Sequence, residues 1–317
     1  VILMLARIWF WLKCSRIYTL PMTFFSWLII FCYALKHNGN WVYGVVALFG
    51  ICCCHLATNL FDDFIDFKFL KKKFNGDKII LPNTQKGKCA YLLNGSTTQR
   101  TQLFVVLLYL ILASSVGLFF FYLYGFKLLI FMAIGGGIVL SYPLLSNLRM
   151  SELAIGTAFG PLLFCGTNFV MTGNISLNSI LVSIPSTIFT LNLIFTDTLM
   201  DYDIDKKEGK KTFIRLFPKK DAVLLQTFLF ILGYTSLIKI APIGLFTLPL
   251  AIDLLISDYK FIKDSSYLPK KNWYHFPFEE YEDIKQNRSV IYMFRMYQAR
   301  NLMIYTSILM SFWILIK

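Results

Sequence analysis

Long apolar segments alternate with short polar segments along most of the chain, and this alternation predicts helices that cross a membrane. A helix needs about 20 predominantly apolar residues to span the hydrocarbon core of a bilayer. Nine segments come near this length: 22–35, 41–60, 103–124, 127–145, 153–172, 179–200, 222–240, 242–258 and 299–316. The sequence therefore predicts an all-α, polytopic membrane protein with nine transmembrane helices.

Two further regions are predicted to lie at the membrane surface. Residues 1–21 are apolar but carry Arg7, Lys13 and Arg16, which is typical of an interfacial entry segment. Residues 259–298 are polar and aromatic, and they predict a cytoplasmic loop with an interfacial helix. We expect residues 1–317 to form a single intramembrane domain.

The composition agrees with a membrane protein and orients it. Hydrophobic residues make up 56% of the chain and charged residues 15%, against about 25% charged in soluble domains. The net charge of +13 comes from basic loops, because 27 of the 31 Lys and Arg fall on one side of the predicted layout. Basic loops mark the cytoplasmic side. We therefore expect a cytoplasmic N-terminus, and no nucleic-acid motif competes with this interpretation of the positive charge.

An acid-rich segment begins in the last residues of the sixth predicted span and continues beyond it. In the range Thr196–Thr212, aspartates recur every four residues and lysines follow at once. If the helix continues, this spacing stacks the carboxylates on one face, where they repel one another unless a cation lies between them. The acidic residues are Asp197, Asp201 and Asp205, and the lysines include Lys206 and Lys210.

A second segment, His55–Lys73, has the same design at the end of the second predicted span. Asn59, Asp63 and Asp66 share one helical face, and Asp62 lies beside it. Lys68 follows, as the lysines do in the first segment. Mg²⁺ binds one or two carboxylates together with substrate phosphate oxygens. Two such clusters, each followed by lysines, therefore favour a site in which Mg²⁺ bridges a diphosphate.

Three other interpretations compete with this one. Charged residues often lie at membrane-helix ends without any function, although two matched clusters make this explanation weaker. A transporter or channel that binds a cation would place its acids near span centres, whereas these lie at span ends beside lysines. A structural or partner-binding membrane protein gives no reason for aligned acidic side chains.

Four motifs together resemble the UbiA-type intramembrane prenyltransferases, and among them most closely those that prenylate 1,4-dihydroxy-2-naphthoate in menaquinone synthesis. The resemblance covers nearly the whole chain. It rests on WLKCSRIYTLP (Trp11–Pro21), TNLFDDFIDF (Thr58–Phe67), the segment Ser141–Gly173 with its Tyr-Pro and Gly-Pro-Leu, and MDYDIDKKEGKKT (Met200–Thr212).

The resemblance implies a helical bundle around a central cavity, with the two acidic motifs facing each other at its cytoplasmic mouth. It also implies Mg²⁺-dependent transfer of a polyprenyl group from an allylic diphosphate to an aromatic acceptor, in a bacterial inner membrane. Other acceptors of the family remain open: 4-hydroxybenzoate, haem or a lipid.

The resemblance assigns roles to the motif residues. Asn59, Asp62, Asp63, Asp66, Asp197, Asp201 and Asp205 would bind Mg²⁺. Of these, Asp63, Asp66, Asp201 and Asp205 would be catalytic. Diphosphate oxygens would be held by Lys68, Arg149, Lys206 and Lys210. Arg16 and Glu152 are candidates for positioning the acceptor, with helix packing as the alternative that we favour.

Overall fold

The computed structural model describes residues 2–74, 89–208, 211–270, 272–275 and 293–317. Within these ranges the chain is helical and contains no strand, as the sequence predicts. The helices are α1 (Ile2–Cys14), α2 (Leu20–Lys36), α3 (Trp41–Phe74), α4 (Ala90–Leu93), α5 (Gln99–Tyr124), α6 (Phe126–Asn147), α7 (Ser151–Thr157), α8 (Leu163–Thr172), α9 (Leu177–Met200), α10 (Tyr202–Glu208), α11 (Lys219–Ile240), α12 (Leu248–Lys263) and α13 (Met293–Ile316). The chain divides into two compact units.

The first unit comprises Val1–Phe24 and Val42–Pro143. Its core joins α1, α3, α4 and α5 through the buried side chains of Cys14, Leu60, Cys89, Tyr91, Leu92, Val105 and Val106. Thr98 caps α5 by accepting a hydrogen bond from the Thr101 N–H (3.3 Å), and Gly125, with a φ of 64°, follows its last residue. The Thr98 cap fixes the start of α5, and burial of apolar side chains stabilises the packing of this helix against its neighbours.

The second unit comprises Phe25–Trp41 and Leu144–Lys317, and α9 lies at its centre. α9 packs against α7, α8, α11 and α13. Between α7 and α8 the chain forms a π-helical turn, Ala158–Leu162, which contains Pro161. A Cβ on Gly160 would lie 1.9 Å from Thr187 Oγ1, so glycine lets this turn approach α9 closely.

Seven described helices are long and apolar enough to cross a membrane, which confirms an integral, all-α membrane protein. They are Ile17–Lys36, Trp41–Lys68, Gln99–Tyr124, Ser151–Thr172, Leu177–Met200, Lys219–Ile240 and Met293–Ile316. The predicted span at 127–145 falls in α6, whose apolar part is the shorter Phe126–Tyr142. The predicted span at 242–258 divides into a 3-10 turn, Pro242–Thr247, and α12. The count of nine stays a prediction, as do the single domain and the central cavity.

Candidate functional site

The first acidic cluster lies on α3, which runs unbroken past Lys68. At 100° per residue, one continuous helix places Asn59, Asp62, Asp63 and Asp66 within about 100° of arc. The side chains differ in burial. Asp63 is 1% exposed, while the other three are partly exposed. Asp63 is therefore the buried member of the cluster, and the other three side chains are partly accessible to solvent.

Several donors surround the carboxylate of Asp63. Arg16 forms an ion pair with Oδ1. Oδ2 accepts hydrogen bonds from the Cys89 N–H (3.2 Å) and the Tyr91 hydroxyl (3.0 Å). Gln102 then donates to the Tyr91 oxygen at 3.0 Å. Asp63 thus connects α3 to the turn after α1 and to the start of α4.

The charges around Asp63 perturb its neighbours outside the membrane spans. Burial would lower the pKa of Arg16, but attraction by Asp63 and by Asp62, 3.6 Å away, raises this pKa above its ordinary value. Burial, followed by the nearby Asp63 charge, raises the pKa of Tyr91 well above its usual range. Arg16 is therefore a permanent cation and Tyr91 a neutral donor at physiological pH.

The second acidic segment departs from the expected continuous helix. α9 ends at Met200, Asp201 has φ −88° and ψ 1°, and α10 begins at the next residue. α10 starts with its own helical bond directly after the break, since the Asp205 N–H donates to the Asp201 carbonyl at 2.8 Å. Burial deepens along the segment: Asp197 is exposed, Asp201 is partly exposed, and Asp205 is 1% exposed.

Contacts with residues 215–219, which follow α10 in the sequence, hold this helix in place. Arg215 donates through Nη1 to the Asp205 carbonyl at 2.9 Å. The Tyr202 hydroxyl donates to the Phe217 carbonyl at 2.9 Å. Lys219 pairs with Asp203 and lies over the Tyr202 ring. Contacts with Arg215, Phe217 and Lys219 therefore hold α10 directly after the break at Asp201.

The structure places Glu152 in a supporting position. It is 1% exposed, its Oε1 accepts a hydrogen bond from the Phe213 N–H (2.8 Å), and its Oε2 accepts one from Ser151 (2.9 Å). These contacts tie the start of α7 to the segment after the second acidic motif. They fit the packing role for Glu152, and contact with an acceptor stays a prediction.

The predicted diphosphate-binding cations lie near water where they are described. Lys68 and Lys206 are exposed, and Lys68 Nζ lies 4.4 Å from the centroid of the Phe64 ring. Arg149 is partly exposed at a left-handed φ of 62°, and its side chain makes no hydrogen bond to the described part of the chain. Lys210 lies outside the described residues.

The donor chemistry fits Mg²⁺. Within the described ranges, no group of three or more His, Cys, Asp or Glu forms a ready-made metal cage. Mg²⁺ does not need one, since it keeps several waters and takes one or two carboxylates plus phosphate oxygens. Asp62 and Asp66 in the first unit, and Asp197 and Asp201 in the second, are partly or fully exposed carboxylates of the required kind. That the two motifs face each other stays a prediction.

Sequence reasoning missed the groups that support the first cluster. Tyr91, Cys89 and Gln102 contact Asp63 or its partner, although they lie 26 to 39 positions away from it. His55 and Thr19 form a further network with Asn59. Thr19 lies in the motif Trp11–Pro21 and His55 opens the segment His55–Lys73, but neither pattern indicates that the two side chains meet. Tyr91, Cys89 and Gln102 belong to none of the motifs.

Comparison with known proteins gives these sites a family context. The chain is 27% identical over 206 residues to a 1,4-dihydroxy-2-naphthoate octaprenyltransferase from Bacillus subtilis, covering 62% of each protein. The chain thus spans under two thirds of that relative's length.

Solved structures share the fold at low identity. A UbiA homolog from Archaeoglobus fulgidus bound to DMAPP and Mg²⁺ matches with a TM-score of 0.57 and 15% identity, covering 92% of this chain and 98% of that one. The apo UbiA homolog from Aeropyrum pernix matches with a TM-score of 0.56 and 14% identity, over 93% and 97%. The UbiA prenyltransferase family description matches residues 19–276, and the chain belongs to that family.

Proposed function

We propose that this protein transfers a polyprenyl group from an allylic diphosphate to 1,4-dihydroxy-2-naphthoate, in a reaction that requires Mg²⁺. The observation that carries the proposal is the pair of acidic segments, each of which has partly or fully exposed carboxylates followed by an exposed lysine. Family membership supports the reaction class. The name of the Bacillus subtilis relative supports the acceptor, and the ligands of the Archaeoglobus fulgidus homolog support the donor and the metal.

Each acidic segment contributes ligands of one chemical type. Asn59, Asp62 and Asp66 would hold Mg²⁺ from the first unit, and Asp197 and Asp201 from the second. The bound metal would neutralise the departing diphosphate and make it a better leaving group. The predicted ligands Asp63 and Asp205 are the most buried of the set. We assign Asp63 chiefly to holding Arg16, and we keep Asp205 as the innermost candidate ligand.

The cations Lys68, Lys206, Lys210 and Arg149 would donate hydrogen bonds to the diphosphate oxygens. The allylic C–O bond breaks and its electron pair leaves with the diphosphate. The ring carbon that carries the acceptor carboxylate then bonds to the allylic cation. Carbon dioxide departs from this carbon and leaves its electron pair in the ring. The apolar helices would exclude water, which would otherwise capture the cation.

The acceptor carboxylate needs a cation that orients it without holding it permanently. Arg16, the predicted acceptor residue, is engaged by Asp63 and Asp62. Arg149, with no side-chain hydrogen bond among the described residues, is the alternative partner. Arg16 would then act on the acceptor only through the acidic cluster.

The acceptor is tested with purified protein in detergent, Mg²⁺ and a labelled prenyl diphosphate. We expect dihydroxynaphthoate to give a prenylated product that has lost its carboxylate, identified by mass. If 4-hydroxybenzoate is prenylated with its carboxylate retained and dihydroxynaphthoate does not react, the proposed acceptor is wrong. The reaction class is then still prenyl transfer to an aromatic ring. If neither compound is prenylated but the diphosphate is hydrolysed in the presence of Mg²⁺, the acceptor is of another kind, a haem or a lipid.

A further inference from the structure

A buried histidine lies one helical turn before the first predicted metal ligand. His55 is 9% exposed and precedes Asn59 by four positions on α3. Both of its ring nitrogens have hydroxyl partners, one from the residue just before α2 and one from the first turn of α2. Thr19 Oγ1 lies 3.1 Å from Nε2, and Thr23 Oγ1 lies 2.6 Å from Nδ1. The ring is therefore clamped between two hydroxyls within the first unit.

The directions of these hydrogen bonds follow from proton counting. The single hydroxyl proton of Thr19 goes to the Arg16 carbonyl at 2.8 Å. Thr19 Oγ1 can then only accept from His55, so Nε2 carries the ring proton in the neutral imidazole. Nδ1 is consequently an acceptor, and Thr23 donates to it. The network thereby selects one tautomer of His55.

Asn59 completes the same network. Its Nδ2 donates to the Ser15 carbonyl at 3.0 Å and to Thr19 Oγ1 at 3.1 Å. These two bonds use both amide protons and fill the second acceptor position of Thr19. The orientation of the amide is thus fixed, with Nδ2 toward the turn after α1. Oδ1 lies on the other side of the amide and is the atom left to act as a metal ligand.

The turn held by this network contains Arg16. Arg16 has a left-handed backbone, with φ 59° and ψ 51°, which is costly for a residue with a side chain. The Thr19 hydroxyl bonded to its carbonyl, and Asp63 bonded to its guanidinium, hold it there. The Ser15–Thr19 turn is therefore fixed to α3 at Asn59 and at Asp63.

We propose that His55 is a positioning residue, which acts through Thr19 to fix the Asn59 amide with its oxygen presented to Mg²⁺. This inference rests on the proposed function for the identity of the metal. His55 touches neither the metal nor the substrate. Its loss removes one of the three hydrogen bonds at Thr19 Oγ1, so Thr19 and the Asn59 amide bonded to it are held less firmly, which lowers the fraction of chains with Oδ1 in place.

Metal binding is the direct test, with Mn²⁺ as a paramagnetic probe in the presence of inorganic pyrophosphate. We expect His55→Leu to weaken Mn²⁺ binding about tenfold, the effect of one lost hydrogen bond of about 1.4 kcal/mol. Asn59→Ala should weaken it at least as much. The double variant should be no worse than Asn59→Ala alone, because the histidine acts only through that side chain.

Variants of Thr19 test the same inference if His55→Leu does not fold. Thr19→Val removes the acceptor and should weaken Mn²⁺ binding, while Thr19→Ser keeps the hydroxyl and should restore it. Thr58→Ala is the control. Thr58 adjoins Asn59, and among the described residues its side chain bonds only to its own helix, at the Cys54 carbonyl (2.8 Å).

Unchanged Mn²⁺ binding in folded His55→Leu or Thr19→Val protein would overturn the positioning role. Absence of Mn²⁺ binding by the wild-type chain would overturn it together with the metal assignment. Intact Mn²⁺ binding without prenyl transfer to any acceptor would overturn the proposed function alone.

Discussion

Removal of the Asp63 carboxylate should unfold the first unit more readily, not merely unseat a metal. Asp63 is 1% exposed and accepts from Arg16, Cys89 and Tyr91. Removing one partner of a buried ion pair costs about 3–5 kcal/mol. Asp62, 3.6 Å from Arg16, still attracts the guanidinium, but the Cys89 N–H and the Tyr91 hydroxyl lose their acceptor. At about 2 °C per kcal/mol for a chain of this size, Asp63→Ala should lower the thermal midpoint by about 6–10 °C.

The measurement is thermal unfolding of the purified protein in detergent without Mg²⁺. Asp66→Ala is the matched control, since Asp66 lies on the same helix face and is partly exposed. We expect a shift of less than about 2 °C for this control. The double variant Arg16→Met with Asp63→Leu should recover part of the loss, because it also removes the cation that lost its main partner, while the Cys89 N–H and the Tyr91 hydroxyl still lack their acceptor.

A different result would refute this reasoning about Asp63. If Asp63→Ala melts like the wild type and loses Mn²⁺ binding, then Asp63 is a metal ligand first and its contacts to Arg16 and Tyr91 contribute little. If Asp66→Ala is equally destabilised, the difference in burial between the two carboxylates does not decide their roles.

Three further predictions concern other parts of the chain. Arg295→Ala should lower the thermal midpoint by about as much as Asp63→Ala, since Arg295 is fully buried and donates to the Ser257 and Tyr267 carbonyls at 3.3 and 2.7 Å. Gly160→Ala should also lower it, and Thr187→Ala in the same chain should recover part of the loss by removing the hydroxyl that the new methyl would strike. Burial, followed by the Asp63 charge, raises the pKa of Cys14 from 9.0 to about 11. Its alkylation by iodoacetamide at pH 8, followed by mass spectrometry, should be about 100-fold slower than in the unfolded chain, and faster as the pH rises toward 11.

The membrane helices and the acidic motifs could be predicted because their signals are local. Apolar segments of sufficient length appear directly in the sequence, and the i, i+4 spacing of carboxylates is visible without any tertiary information. The unequal burial of Asp62 and Asp63 was not predictable. It depends on Cys89 and Tyr91, which lie 26 and 28 positions after Asp63 in the sequence.

The break after α9 shows a second limit of sequence reasoning. Neither glycine nor proline stands between Thr196 and Glu208, so helix propensity favours continuation. Tertiary contacts oppose it: Tyr202 bonds to Phe217, and Arg215 bonds to the Asp205 carbonyl. Glu152 adds to this support by binding the Phe213 N–H. Interactions across such distances in sequence leave no periodic pattern.

The central claim is that Mg²⁺-dependent prenyl transfer uses the carboxylates of the acidic motifs. The most direct measurement compares Asp201→Asn with Asp203→Asn under saturating prenyl diphosphate and dihydroxynaphthoate, across a range of Mg²⁺ concentrations. Asp201 is a partly exposed predicted ligand, while Asp203 is 67% exposed and pairs with Lys219. We predict that Asp201→Asn loses at least about 100-fold in turnover, or about 2.7 kcal/mol of transition-state stabilisation, while Asp203→Asn stays within about threefold of wild type. Equal activity of folded Asp201→Asn and wild-type protein at every Mg²⁺ concentration would contradict the account.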